Sequence, residues 1–131
     1  MALQNAFKTP LHVYSPTSPK SRWAYIPHVR HDSLDTFLPE LDILSLHCPL
    51  TDATRNLIGE EQLASMKSSA YLINVARGGV VDEHALELAL RNDRLAGAAI
   101  GACLSFIARR RLGLTLTSAL VARRLGGRTA D

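Results

Sequence analysis

Short, nearly continuous runs of aliphatic and β-branched residues punctuate the chain near Leu11–Tyr14, Pro27–Arg30, Ile43–His47, Tyr71–Val75 and Gly97–Ala102. Runs of this length and composition suit strands of a parallel sheet that is covered on both faces. Between them lie segments with helical spacing of apolar positions, near Ser33–Leu38, Glu60–Met66 and Asp82–Arg91. In the last of these, Ala85, Leu86, Leu88, Ala89 and Leu90 are expected to face the sheet. Alternation of the two periods predicts an α/β fold with a parallel sheet.

The stretch Ala70-Tyr71-Leu72-Ile73-Asn74-Val75-Ala76-Arg77-Gly78-Gly79-Val80-Val81-Asp82-Glu83 carries the most chemistry. An apolar strand ends, an arginine follows, and two glycines allow a tight turn with close backbone approach. Asp82 then suits a helix N-cap, with Glu83 adding negative charge in the first turn. Arg77 is thereby placed beyond the carboxyl end of a strand, where ligands of open α/β sheets bind, and its guanidinium fork matches a carboxylate. A solvent-exposed arginine in an ordinary strand-to-helix turn is the alternative that spacing alone leaves open.

A second segment, Leu41-Asp42-Ile43-Leu44-Ser45-Leu46-His47-Cys48-Pro49-Leu50-Thr51, is another strand closed by Cys48-Pro49. Taken with Met66-Lys67, the Asn74–Glu83 run and Arg94-Leu95-Ala96-Gly97-Ala98-Ala99, it resembles the D-isomer-specific 2-hydroxyacid dehydrogenases over roughly residues 5 to 100. The resemblance is to the later part of that family's nucleotide-binding domain. It implies a partial Rossmann-like parallel sheet, a dinucleotide cofactor (NAD or NADP) and a parent reaction that moves a hydride between a nicotinamide and C2 of a 2-keto or 2-hydroxy acid of the glyoxylate, hydroxypyruvate or phosphoglycerate type. It also implies Arg77 as the catalytic residue holding the substrate carboxylate, and Tyr14, Ser15, Pro16, Cys48, Pro49, Leu50, Thr54, Val75 and Ala76 as cofactor-binding positions.

Where the family carries an aspartate at the end of its second strand, this chain has Ser15, with Lys20 and Arg22 following. That set tolerates a 2′-phosphate and favours NADP; a polar, proline-punctuated loop without cofactor meaning is the other reading. The family's general acid/base histidine and the glutamate that orients it have no counterpart after Ile100. Its glycine-rich phosphate loop and the strand preceding that loop have none either, since no glycine occurs before Gly59. In the order 3-2-1-4-5-6 the missing strand is central, so two strand groups with unpaired inner edges are expected, open to self-association, to misassembly or to closure by the tail or a second chain. No turnover by the chain alone is expected. Related C-terminal-binding-protein corepressors make a binding or interaction module, or a degraded gene product, the alternative to an enzyme.

Composition marks a change at the same place as the motifs. Residues 101–131 hold six arginines, no lysine and a single acid, a balance of +5; the whole chain is +3, so the first hundred residues carry −2. The organisation expected is a partial dinucleotide-binding domain over residues 1–100 and a divergent Arg/Leu-rich tail over 101–131. Such a tail after an intact motif is what a frame change in a GC-rich gene produces. Leu112–Leu125 also fits a basic helix stopped by Gly126-Gly127, although its apolar residues do not share one face and no aromatic residues are interleaved for base stacking. Nucleic-acid and membrane partners are therefore not expected. The longest apolar run, Ala96–Leu104, is too short to span a bilayer, which takes about 20 residues. Cys48 and Cys103 form no C-x-x-C pair and suit free thiols in a cytoplasmic protein. His12, His28 and His31 show no ligand spacing with them, and no metal is expected.

Overall fold

A computed structural model describes residues 9–16 and 27–101, together with the backbone of 119–123. In chain order the elements are β1 (His12–Tyr14), β2 (Val29–His31), α1 (Leu34–Phe37) running into a 3-10 turn (Leu38–Glu40), β3 (Ile43–Leu46), α2 (Glu60–Ser65), β4 (Tyr71–Asn74), a second 3-10 turn (Gly78–Val80), α3 (Glu83–Arg91), β5 (Gly97–Gly101) and β6 (Ala119–Arg123). The expected strands and helices are all present, each displaced by at most a few residues at its ends.

The strands form two sheets, β1–β2 and β3–β4–β5–β6. β1 and β2 are parallel, as are β3, β4 and β5. Among the described residues β1 pairs only with β2 and β3 only with β4, so the sheet is split where the doubly wound order places a central strand. β6 joins antiparallel to β5, Gly97 opposite Arg123 and Gly101 opposite Ala119. Over those five residues the tail is a strand and not the basic helix considered from the sequence. It caps the outer edge of β5 and leaves the central split unclosed. The rest of Leu112–Leu125 lies outside the described residues.

Register divides the larger sheet into two unlike faces. Leu44, Leu72 and Ala98 form one row across it and Leu46, Asn74 and Ile100 the next; all six are buried. They belong to a single core that includes Leu63 of α2 and Ala85, Leu86 and Ala89 of α3. The opposite rows, Ile43–Tyr71–Gly97 and Ser45–Ile73–Ala99, are less covered: Ile43 is 59% and Tyr71 42% exposed. The expectation of a sheet covered on both faces therefore fails for β3 and β4. The reason lies in handedness. Both crossovers, β3–α2–β4 and β4–α3–β5, advance in the same direction, and right-handed connections place both helices on one side.

Local chemistry sets the helix ends. The Asp82 carboxylate accepts from the N–H groups of His84 and Ala85, the N-cap read from the sequence. At the other end Arg94 N–H donates to Ala89 O and Asp93 N–H to Leu90 O, with Asp93 left-handed at φ 54°, which is a Schellman closure. Ala85, Leu86 and Ala89 are buried, but Leu88 is 41% exposed, against the sequence expectation that it faces the sheet. At about 100° per residue it falls outside the arc set by the other apolar positions. Leu86→Ala should cost about 2–4 kcal/mol in urea unfolding, whereas Leu88→Ala should stay within about 0.5 kcal/mol; equal losses would contradict this assignment of faces.

Candidate functional site

The chain leaves β4 at Asn74 and enters α3 nine residues later, and what lies between is held by one side chain. Asn74 is 3% exposed in the row of Leu46 and Ile100, a polar residue at a core position. Its Nδ2–H donates to the carbonyl of Arg77 at 2.8 Å, and its Oδ1 accepts from the N–H of Ala76 at 3.0 Å. Donor and acceptor are both used, so burial leaves no unmet hydrogen bond at those atoms. The amide thus fixes both peptides flanking the Ala76–Arg77 bond.

Beyond Arg77 the glycine pair opens the 3-10 turn, closed by Val80 N–H to Arg77 O and Val81 N–H to Gly78 O. A second segment straps this turn down. Asn56 N–H donates to Gly79 O, Ile58 N–H to Val80 O, and Asp82 N–H to Ile58 O. Gly79 is needed for closeness: a Cβ there would stand 3.2 Å from the Leu50 side chain. Leu50 is thereby placed against the arginine loop by packing. Thr54 holds its own turn, its Oγ1 donating to Pro49 O at 2.6 Å and accepting from Thr51 N–H at 2.8 Å.

Asn74, Val75, Ala76, Arg77, Gly78, Ile100 and Gly101 line a cavity of about 160 Å³ at the carboxyl ends of β4 and β5. Arg77 is exposed, and its Nη1 donates to the Ala76 carbonyl at 3.3 Å, so the guanidinium folds back along the rim. Of the residues singled out from the sequence, Val75, Ala76 and Arg77 meet here. The others sit elsewhere: Tyr14 ends β1 with its ring 6.0 Å from that of Phe37, Ser15 follows it, Pro16 is exposed, and Cys48, Pro49, Leu50 and Thr54 belong to the segment after β3. The Ser15 carbonyl accepts from Arg30 Nη2 at 2.7 Å, a cation that the sequence reading did not connect with this end of β1.

Sequence reasoning passed over Asn74. The available signal was its parity: Leu72 and Asn74 share a face of the strand, so a polar residue falls at a core position just before a glycine turn. It also passed over the meeting of His12 Nδ1 and His31 Nε2 at 2.9 Å, an imidazole pair stacked across β1 and β2 with Phe37 beside it. Among the described residues no three His, Cys, Asp or Glu side chains group as a metal site, and no helix is long and apolar enough to cross a membrane.

A split parallel sheet with crossover helices, a strand-end cavity and an arginine on its rim define a nucleotide-binding domain of the doubly wound α/β class. Residues 1–103 match the NAD binding domain of the D-isomer specific 2-hydroxyacid dehydrogenases, and the chain belongs to that family. The glyoxylate reductase of Thermofilum pendens is 51% identical over 82 residues, covering 60% of this chain and 24% of that protein. The glycerate dehydrogenase of Methylorubrum extorquens is 55% identical over 65 residues, covering 50% of this chain and 21% of that protein. Among solved structures, the NAD-complexed D-isomer specific 2-hydroxyacid dehydrogenase of Lactobacillus delbrueckii superposes with a TM-score of 0.68 at 41% identity, covering 76% of this chain and 29% of that one. The D-lactate dehydrogenase of Aquifex aeolicus, solved with NAD and lactic acid, gives 0.72 at 29% identity over 88% of this chain and 35% of that one. The chain spans about a quarter of the length of the curated relatives it matches.

The dinucleotide of that family needs a pyrophosphate cradle, and the described helix starts do not fit one. The N-terminus of α3, which follows the glycine pair, is filled by the Asp82 carboxylate, whose charge and hydrogen bonds exclude a phosphate. α1 is capped by the Ser33 hydroxyl and α2 by the Gln62 side chain accepting from Gly59 N–H.

Asn74→Ala removes one acceptor and one donor from the loop. It should lower stability by about 1–3 kcal/mol and accelerate amide hydrogen exchange at Ala76. Unchanged exchange there would mean that Asn74 does not hold the loop.

Proposed function

We propose that this chain is the strand-end, substrate-facing portion of an NAD(P)-binding domain from an oxidoreductase acting on a small 2-keto acid of the glyoxylate, hydroxypyruvate or phosphoglycerate type. Arg77 holds the carboxylate. The observation that carries the reading is an exposed guanidinium on the rim of a cavity whose wall, from Asn74 through Gly78, is anchored by the buried Asn74 amide. A charged fork on a fixed backbone gives a planar carboxylate two parallel hydrogen bonds at low ordering cost.

In the parent reaction the nicotinamide, when bound, supplies or takes the hydride. What this chain's own residues contribute is orientation. Arg77 binds the carboxylate and thereby turns C2 and its oxygen into the cavity mouth, next to the apolar Val75, Ala76 and Ile100. Proton transfer to or from that oxygen needs a positioned acid or base, a contribution of about two to four powers of ten in rate. No residue of the described site is placed to provide it. The chain alone is accordingly a binding module without turnover. The Asp82-filled helix start supports the same conclusion, because it withholds the pyrophosphate site. Ser15 with Arg30 at its carbonyl keeps both NAD and NADP open as partners of the β1 end.

The test is a titration of the labelled protein with glyoxylate and with hydroxypyruvate, followed by amide chemical shifts. Shifts should concentrate at Ala76, Arg77 and Gly78, and Arg77→Gln should weaken binding roughly tenfold or more, the value of a charge-assisted hydrogen-bond pair. Binding that survives Arg77→Gln unchanged would sink the carboxylate assignment. Pure chain mixed with NADH or NADPH and either keto acid should show no reduction; measurable oxidation of the nicotinamide would overturn the binding-module reading.

A further inference from the structure

The smaller sheet is held by little backbone. β1 and β2 are three residues each and run parallel, and among the described residues they pair with no other strand. An isolated two-stranded ribbon is marginal in water. What joins these two beyond the ladder is a pair of imidazoles. His12 stands opposite Val29 and His31 opposite Tyr14, so the two rings are diagonal neighbours on one face. They stack with centroids 5.1 Å apart, and His12 Nδ1 lies 2.9 Å from His31 Nε2. His31 Nδ1 lies 3.4 Å from the Thr36 hydroxyl of α1, and the Phe37 ring packs 5.4 Å from His31 and 6.0 Å from Tyr14. The two rings therefore bridge β1, β2 and α1.

A hydrogen bond between two imidazole nitrogens holds a single hydrogen, so the number of protons on the pair decides whether it exists. Thr36 Oγ1 donates to the Ser33 carbonyl at 3.2 Å and so offers lone pairs to His31. His31 Nδ1–H then donates to Thr36, His31 Nε2 is bare, and His12 Nδ1–H donates to it. A first added proton goes to His12 Nε2, which no bond between described residues occupies; the ring-to-ring bond persists and becomes charge-assisted. A second proton has only His31 Nε2 left, and it sets N–H against N–H and cation against cation. The opposite tautomer exchanges the two roles and gives the same count. Neighbouring charges do not substitute for the bond. His28 and Arg30 have the opposite strand parity, with Arg30 Nη2 donating to the Ser15 carbonyl at 2.7 Å. Asp32, between β2 and α1, and Asp35, in α1, are exposed and bond to neither ring.

We propose that the His12–His31 pair is an acid-sensitive latch. It fastens β1 to β2 and α1 while the pair carries at most one added proton, and it releases them when both rings are charged. The sign follows from proton counting: the open layer binds two added protons and the latched layer one, so the latched form loses population as pH falls. Release falls on the end of β1, Tyr14 and Ser15, and leaves Arg77 in place, because the Asn74 amide holds that loop from the other sheet. The latch stands on its own hydrogen bonds; only the bearing of the freed end on a dinucleotide rests on the proposed function.

The test is a titration of the full, isotope-labelled chain from about pH 8 to below about pH 5, the span in which imidazoles ordinarily change charge. The ring nitrogens of His12 and His31 should titrate in two separated steps, as coupled groups do. The Val29 amide donates to Leu11 O at 2.8 Å, and its protection from hydrogen exchange, corrected for the intrinsic pH dependence, should survive the first step. At the second step it should fall at least about fivefold, the worth of one lost hydrogen bond. The Tyr71 amide, bonded to Asp42 O in the larger sheet, should keep its protection throughout. His31→Gln puts near the place of Nε2 an amide that can turn its carbonyl or its N–H toward His12, and should abolish the acid step at Val29. His12→Phe keeps the stack without the bond and should lower Val29 protection at every pH. Both rings titrating in one step, Val29 and Tyr71 losing protection together, or an acid step that persists in His31→Gln would overturn the latch.

Discussion

A buried amide organises the loop that follows β4 in this molecule. Asn74 occupies a core position between Leu46 and Ile100, yet its two polar atoms reach forward to Ala76 and Arg77. Burial makes those bonds consequential, because in a low-dielectric surrounding an unmet amide costs far more than a met one gains. The geometry is therefore close to all-or-none: if the loop moves away, Asn74 is left buried without partners. In this way the packing of the sheet is transmitted to the position of one arginine, three residues past the last strand residue.

The loop is also held from below. Backbone bonds from Asn56 and Ile58 to Gly79 and Val80, and from Asp82 back to Ile58, tie the segment after β3 to the segment after β4. Leu50 fills the space above Gly79. The two connections that follow neighbouring strands thus form one unit, and a residue such as Leu50 affects the site by supporting the arginine turn.

Much of this was legible from the chain because local signals and global fold agree. The strand run at Tyr71, the Asp82 cap and the glycine pair each carry their own physical reason, and each appears where the spacing places it. What escaped has a common cause in side-chain reach. The amide of Asn74 bonds two and three residues ahead, the Arg30 guanidinium reaches across to Ser15, and the His12–His31 pair is brought together by strand register. Periodicity assigns faces but says nothing of which polar atoms meet. Ile43 and Tyr71 misled in the opposite sense: their apolar character fits a covered sheet, yet they are 59% and 42% exposed, and the common direction of the two crossovers puts α2 and α3 on the other side.

The same crossovers build one core beneath the Arg77 loop and the start of α3. β3, β4, β5, α2 and α3 share a core whose buried residues run from Leu38 to Ile100. The phosphate-binding function, by contrast, requires a helix start free of its own cap, and the start of α3 satisfies its N–H groups with Asp82 instead. Stability of the helix and affinity for a phosphate compete for the same backbone donors. In this chain the carboxylate cap wins at α3, which secures the arginine loop at its far end.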